Sequence, residues 1–240
     1  GLNLMKKLVL KAYGLLISTP QALMVSSFSA LILAGALLLR LPWAQTRGDV
    51  GFLDALFTSA SAVCVTGLTV VDTATAWTLF GQIVILVLIQ LGGLGILTYA
   101  GLYAVFLGRR LSMRSQAALA DAFIQREAAD KMRRGLSLIV GITFTIESMG
   151  AILLFALMPA GSATPQAAFS AVFHSVSAFC NAGFSLYSDS LSSFRGNPAF
   201  LTVVMLLITA GGIGHIILVE LSELLGRLKA GIRKSGYSHL

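Results

Sequence analysis

The sequence predicts an all-α integral membrane protein built as two tandem copies of one unit: a spanning helix, a half-length re-entrant helix with its loop, and a second spanning helix. Three observations carry that prediction. The 240 residues are 56% hydrophobic and only 11% charged, whereas a soluble domain carries about 25% charged residues. The basic residues gather in three segments that separate the apolar blocks. A patterned stretch of small and polar residues occurs twice, at a spacing of 116 positions.

The net charge of +7 could point to nucleic acid or to a membrane surface, and the placement of the charges decides. Lys6, Lys7 and Lys11 open the chain. Arg109, Arg110, Arg114, Arg126, Lys131, Arg133 and Arg134 lie between apolar blocks, and Arg227, Lys229, Arg233 and Lys234 follow the last one. Only Arg40, Arg47 and Arg195 fall elsewhere. This is a positive-inside distribution, with both ends and the middle loop cytoplasmic and no nucleic-acid partner. No cleavable signal peptide is expected, and two cysteines make no disulfide framework.

A span needs about 20 residues to cross roughly 30 Å of hydrocarbon. Four stretches qualify: about 22–41, 77–107, 136–158 and 200–225. Between the first two lies a shorter apolar segment, Phe52–Asp72, and between the last two lies Ala168–Asp189. A helix from Asp54 to Cys64 is about 16 Å long, half the hydrocarbon thickness, which fits a re-entrant element or an amphipathic helix on the outer surface. The repeat favours the first. Leu56–Gly67 aligns with Val172–Gly183, with Phe, Ser, Ser, Ala, Cys and Gly identical. Gln90-Leu91-Gly92-Gly93-Leu94-Gly95 aligns with Thr209-Ala210-Gly211-Gly212-Ile213-Gly214 at a spacing of 119. The expected organisation is a cytoplasmic segment 1–20, a first unit 21–110, a cytoplasmic linker 111–135 with a short amphipathic helix around Ala117, Leu119, Ala122 and Phe123, a second unit 136–227, and a basic cytoplasmic segment 228–240.

A half-helix entering from outside aims its C-terminus, with about half a negative charge, at the membrane centre. Irregular backbone there is tolerated only where it lines a cavity, and loop carbonyls suit a dehydrated monovalent cation. Gly67 and Gly183 follow their half-helices, and glycine adopts φ > 0 without steric cost. No carboxylate lies in Val63–Thr69 or Phe179–Ser185, which argues against a divalent site.

Val65-Thr66-Gly67-Leu68-Thr69-Val70-Val71-Asp72 and Phe173–Phe184 resemble the first and second pore loops of the Trk/Ktr/HKT superfamily of K⁺ transporters, and within it the KtrB branch of bacterial Ktr membrane subunits. Gln90–Gly95 resembles that family's first inner helix. The resemblance runs from about Thr19 to Leu225. It implies K⁺-channel-like M1-P-M2 repeats with one selectivity-filter glycine each, Gly67 and Gly183. K⁺ would be held by the backbone carbonyls of Val65, Thr66, Asn181 and Ala182, with Cys64, Leu68, Cys180 and Phe184 supporting the filter. It also implies potential-driven K⁺ uptake across the bacterial cytoplasmic membrane, stimulation by Na⁺ in many Ktr systems, a homodimer of pore subunits, and a cytosolic nucleotide-binding (KtrA-like) regulatory ring. Family members carry four repeats and this chain carries two, so the expectation is a portion of a four-repeat protein whose gate, in the third repeat, lies elsewhere. A second copy of the chain is the alternative partner.

Glu147 stands alone in an apolar span, where an unpaired charge costs at least about 2.5 kcal/mol. It is expected either to be hydrogen-bonded or to anchor against a basic group in the remaining repeats. His174, opposite Thr58 in the repeat, reads as a packing or capping residue, and His215 has no assigned role. His174, Cys180 and Asn181 do not make a hydrolase site, since the same positions recur as Thr58, Cys64 and Val65. No catalytic residues, and no enzyme, are expected. Asn197-Pro198-Ala199 raises a water or small-solute channel, but that triplet has no repeat partner. A non-conducting regulatory or assembly subunit is the other alternative. Asp49, Asp54, Asp72 and Asp189 fall on the expected outer face, as helix caps or as a cation-attracting rim.

Overall fold

The computed structural model describes residues 20–95, 117–158 and 164–213. The expected N-terminal segment, the second half of span two, the start of the linker before Ala117, the end of span four with His215, and the C-terminal basic segment lie outside the described residues. The described chain is helical: α1 (Pro20–Leu39), α2 (Phe52–Val63), α3 (Thr73–Ala76), α4 (Leu79–Gly93), α5 (Ala117–Ala156), α6 (Pro165–Phe179) and α7 (Pro198–Ile213), with 3₁₀ turns at Pro42–Ala44 and Ser192–Phe194. It divides into two compact units. The first joins 20–95 with Ala182–Ser193, and the second joins 117–158 and 164–181 with 194–213.

In each unit three helices pack mutually, α1 with α2 and α4, and α5 with α6 and α7. The first core is formed by Ala36, Leu39, Ala55, Val63, Ile85 and Ile89, the second by Leu154, Phe173, Phe179 and Phe200. Much of the apolar surface faces outward, including Leu33 and Leu37 on α1, Val87 on α4, Met149 and Ile152 on α5, and Leu206 on α7. Among the described residues, Gly135–Ala156 is the one helical stretch long and apolar enough to cross a membrane by itself; the apolar parts of α1, α2, α4 and α7 are shorter.

The same contacts hold both triplets together. Ser59 Oγ donates to the Ile32 carbonyl across α2 and α1 (2.7 Å), and Ser175 Oγ donates to the Glu147 carbonyl across α6 and α5 (2.7 Å). A side chain on Gly35 would overlap Ser59 Oγ and crowd Leu88, and one on Gly150 would meet Ser175 Oγ and Leu207. Glycine at the crossing lets the helices approach closely enough for the serine hydroxyl to reach a helix carbonyl. Thr58 Oγ1 donates back to the Asp54 carbonyl (2.8 Å), and His174 Nδ1–H to the Ser170 carbonyl (2.7 Å). The expectation of a packing histidine therefore describes what His174 does: it is buried, with Phe173 edge-on to its ring.

Two features differ from the sequence expectation, and a third gives a role to a triplet the sequence left without one. The amphipathic linker helix and the third span are one 40-residue helix, α5. No proline interrupts 117–156, and the mid-helix Gly135 costs only about 1 kcal/mol against alanine. The second span does not run on unbroken from Trp77. Trp77 instead pairs with Gln45 in an antiparallel bridge, α4 starts at Leu79, and the helix closes at Gly95, whose φ of +74° is the left-handed helix stop favoured by glycine. Third, Asn197-Pro198-Ala199 is a helix start. Asn197 Oδ1 accepts from Phe200 N–H (3.1 Å) and Nδ2 donates to the Leu157 carbonyl (2.7 Å), with Pro198 at the first helical position. Thr78 does the same for α4, accepting from Gly81 N–H and donating to the Trp43 carbonyl (2.6 Å).

Candidate ion-conducting loops

Both half-length helices end in a turn of the same unusual shape. α2 stops at Val63, with Cys64 N–H bonded to Ala60 O (2.9 Å) and Thr66 N–H reaching Ser61 O (2.8 Å). α6 stops at Phe179, with Cys180 N–H bonded to Val176 O (2.9 Å) and Asn181 N–H to Ala178 O (3.0 Å). The next residues turn left-handed: Val65 at φ +54° and Asn181 at +60°, then Gly67 at +79° and Gly183 at +71°, while Thr66 and Ala182 between them do not. Left-handed φ is ordinary for asparagine but a strained outlier for β-branched valine. A reversal of handedness at every second residue lets successive carbonyls swing to one side of the chain, whereas in an extended strand they alternate and in a helix they lie along the axis.

The two glycines lie against each other within the first unit. A Cβ on Gly67 would sit 2.6 Å from the Ala182 carbonyl oxygen and 3.0 Å from Gly183 Cα, and one on Gly183 would sit 3.3 Å from Gly67 Cα. Glycine is thus needed for space as well as for φ. Of the flanking residues, Ala182 and Phe184 are buried, whereas Cys64 and Leu68 are exposed and Cys180 is half-buried.

Each half-helix end is also seated on a glycine of the following helix. A Cβ on Gly92 would overlap the Val63 carbonyl oxygen, and one on Gly211 the Phe179 carbonyl oxygen. Gly92 and Gly211 are aligned in the internal repeat; which atoms they make room for is visible only in three dimensions.

The loops meet again farther out. Ser188 Oγ donates to Asp72 Oδ2 (2.5 Å), and these two residues occupy the same position in the two copies. Asp72 also caps α3, accepting from Ala74 N–H (2.9 Å) and Thr75 Oγ1 (3.1 Å). Asp54 caps α2 by accepting from Gly51 N–H (3.0 Å), and Asp189 accepts from Ser193 Oγ. The expected outer-face acids Asp54 and Asp72 are helix caps. The Ser188 hydroxyl foremost, against the opposing effect of burial and with smaller help from the Ala74 and Thr75 donors, holds the Asp72 carboxyl below its ordinary 3.8. A depressed carboxyl stabilises the fold while ionised, so this contribution is complete above pH 3.8 and fades as pH falls through the lower folded-state value. Ser188→Ala is expected to move the Asp72 titration midpoint up towards 3.8, as read by carboxyl-carbon NMR. An unmoved midpoint would show that Ser188 does not set it.

Among the described residues no group of three or more His, Cys, Asp or Glu side chains could hold a metal ion. What the loops offer a ligand is main-chain oxygen, which suits a monovalent cation. Residues 10–231 match the TrkH family, described as cation transport proteins. The chain belongs to the TrkH family. TrkH-family proteins are cation transporters, not enzymes. Within curated relatives, the chain is 38% identical over 206 residues to Ktr system potassium uptake protein B of Bacillus subtilis, covering 85% of this chain and 46% of that protein. It is 36% identical over 217 residues to potassium/sodium uptake protein NtpJ of Enterococcus hirae (90% and 47%). It is 39% identical over 192 residues to Ktr system potassium uptake protein B of Vibrio alginolyticus (80% and 42%). This TrkH-family chain therefore spans just under half the length of each of these three relatives.

Proposed function

We propose that this chain supplies two M1-P-M2 repeats of a K⁺ uptake protein in the bacterial cytoplasmic membrane. In this reading α1, α4, α5 and α7 belong to spans, α2 and α6 are re-entrant pore helices, and the backbone carbonyls of Val65, Thr66, Asn181 and Ala182 are K⁺ ligands around Gly67 and Gly183. The observation that carries it is the shared left-handed pattern of the two loops, with their glycines in contact. Peptide groups turned one way after a helix C-terminus concentrate partial negative charge without a carboxylate. A dehydrated K⁺ is held by such dipoles, whereas a divalent ion calls for carboxylates. The outward-facing leucine, isoleucine and methionine side chains fit a lipid surround.

The names of the relatives support K⁺ as the transported ion, and that of NtpJ supports a part for Na⁺. The remaining two repeats of a four-repeat chain would complete the pore, and the assembly would be a homodimer on a cytosolic nucleotide-binding ring. Nothing in the structure favours the water-channel alternative, because Asn197 spends both its amide atoms on capping and on Leu157.

The test is Rb⁺ and Na⁺ flux into liposomes holding the native polypeptide that carries this sequence. A membrane-potential-driven, K⁺-competed Rb⁺ flux supports the proposal; absence of any cation flux from folded protein overturns it. In the same assay Glu147→Gln is expected to leave K⁺ preference unchanged, because glutamine keeps the acceptor that Glu147 Oε1 offers Cys180 Sγ (3.8 Å). Recovered protein or flux should fall, about tenfold for each 1.4 kcal/mol lost from the buried site. Wild-type yield and flux would remove Glu147 from the proposal.

A further inference from the structure

Equivalent positions of the two copies are not equally held. On the first loop, the α1 position that contacts the pore helix is Ile32, the residue ending the half-helix is an exposed Cys64, and the left-handed residue is Val65. Ile32 and Val65 carry no side-chain donor or acceptor, so the first loop has no counterpart at these positions to a carboxyl that receives the thiol or an amide that reaches a flanking helix. On the second loop the same positions are Glu147, Cys180 and Asn181. Cys180 Sγ donates to Glu147 Oε1 (3.8 Å), tying the loop to α5. Asn181 Nδ2 lies 3.3 Å from the Ile208 carbonyl and 3.4 Å from the Phe179 carbonyl, tying it to α7 and to the end of α6. Gly211 makes this approach possible, since its Cβ would stand 3.2 Å from Asn181 Nδ2.

We infer that Glu147 and Asn181 are positioning residues that brace the second loop between its two flanking helices, leaving the first loop as the compliant side of the filter. The inference rests on the proposed K⁺ filter for its meaning, but the bracing itself does not need transport to be measured. It follows from donor and acceptor chemistry. Asparagine takes φ near +60° readily, so its side chain is free to hold neighbours, whereas Val65 bears the strain of the same conformation and offers no donor. A shift of α7 near Ile208 would reach Ala182 and Gly183 through one amide; the first loop has no such route through residue 65.

Hydrogen exchange of the purified native protein tests this. Amides of 180–183 are expected to exchange at least about tenfold more slowly than those of 64–67, the effect of one or two net hydrogen bonds. Asn181→Gly, which keeps the left-handed backbone, and Glu147→Ile, which installs the first copy's residue, should each raise exchange at 180–183 towards the 64–67 rate. Asn181→Gly should also lower Rb⁺ over Na⁺ flux preference about tenfold. Equal exchange of the two loops in the wild-type protein overturns the inference, as does unchanged exchange in both variants. If bracing is found but no variant or wild-type protein conducts, the filter reading fails and the brace stands.

Discussion

Serine at Gly67 or Gly183 is expected to lower K⁺ over Na⁺ preference by about tenfold or more, measured as competing Rb⁺ and Na⁺ fluxes or as potassium-limited growth of an uptake-deficient bacterium. Two costs add. A non-glycine residue in the left-handed region costs roughly 1–2 kcal/mol, and each 1.36 kcal/mol is a factor of ten. At Gly67 the new Cβ also meets the Ala182 carbonyl oxygen at 2.6 Å and Gly183 Cα at 3.0 Å. Both are backbone atoms, so no rotamer change relieves them. The proposed ligand Ala182 O must move, and its displacement alters the cage that tells one monovalent ion from another. Gly183→Ser meets less, with Gly67 Cα at 3.3 Å, so Gly67 should be the more damaging position. Selectivity equal to wild type in Gly67→Ser would remove these glycines from any filter.

The second large effect is on folding. Gly92→Ala and Gly211→Ala should each destabilise the protein, although glycine to alanine inside a helix ordinarily gains about 1 kcal/mol. The new methyl would fall on the Val63 carbonyl oxygen in one case and the Phe179 carbonyl oxygen in the other, each a main-chain atom at the end of a half-helix. Overpacking costs typically 1–3 kcal/mol, and a rigid backbone neighbour sets the upper end, so the sign reverses. Melting in detergent should fall by several degrees, at roughly 2–4 °C per kcal/mol for a chain of this size. Gly141→Ala on α5, where a Cβ meets nothing within 4 Å, is the control and should hold or raise the melting temperature. If Gly92→Ala and Gly211→Ala melt like Gly141→Ala, the seat of each half-helix on the next helix is not tight.

Much of this was legible in the residues. The repeat of Phe, Ser, Ser, Ala, Cys and Gly at a spacing of 116 marked two equivalent loops. The structure puts those identities to matching use: Ser59 and Ser175 bridge to Ile32 and Glu147 carbonyls, and Gly67 and Gly183 turn left-handed. Other features were not legible. Gly35 and Gly150 lie outside the repeated stretch, and nothing local marks a glycine whose job is to admit a serine from another helix. The role of Asn197-Pro198-Ala199 was not legible either: its lack of a repeat partner argues against a channel box, but a three-letter pattern does not say that its asparagine caps a helix. For Glu147 the sequence leaves open a hydrogen-bonded side chain or an anchor to a basic group; the structure brings its carboxylate to the Cys180 thiol, a partner 33 residues away that periodicity cannot express.

What the sequence determined alone was the class of solvent and the two-fold plan. Apolar content, the clustering of arginine and lysine, and an internal repeat are properties of composition and spacing, and they act before any contact forms. The tertiary structure decided which backbone atoms meet. That Gly67 lies against Ala182, that Gly92 and Gly211 each seat a carbonyl, and that Cys180 and Asn181 reach Glu147 and Ile208 all depend on distances of a few ångströms between segments apart in the chain. Those distances follow from how three helices close on one another, because the room left by a missing side chain exists only once its neighbour has arrived.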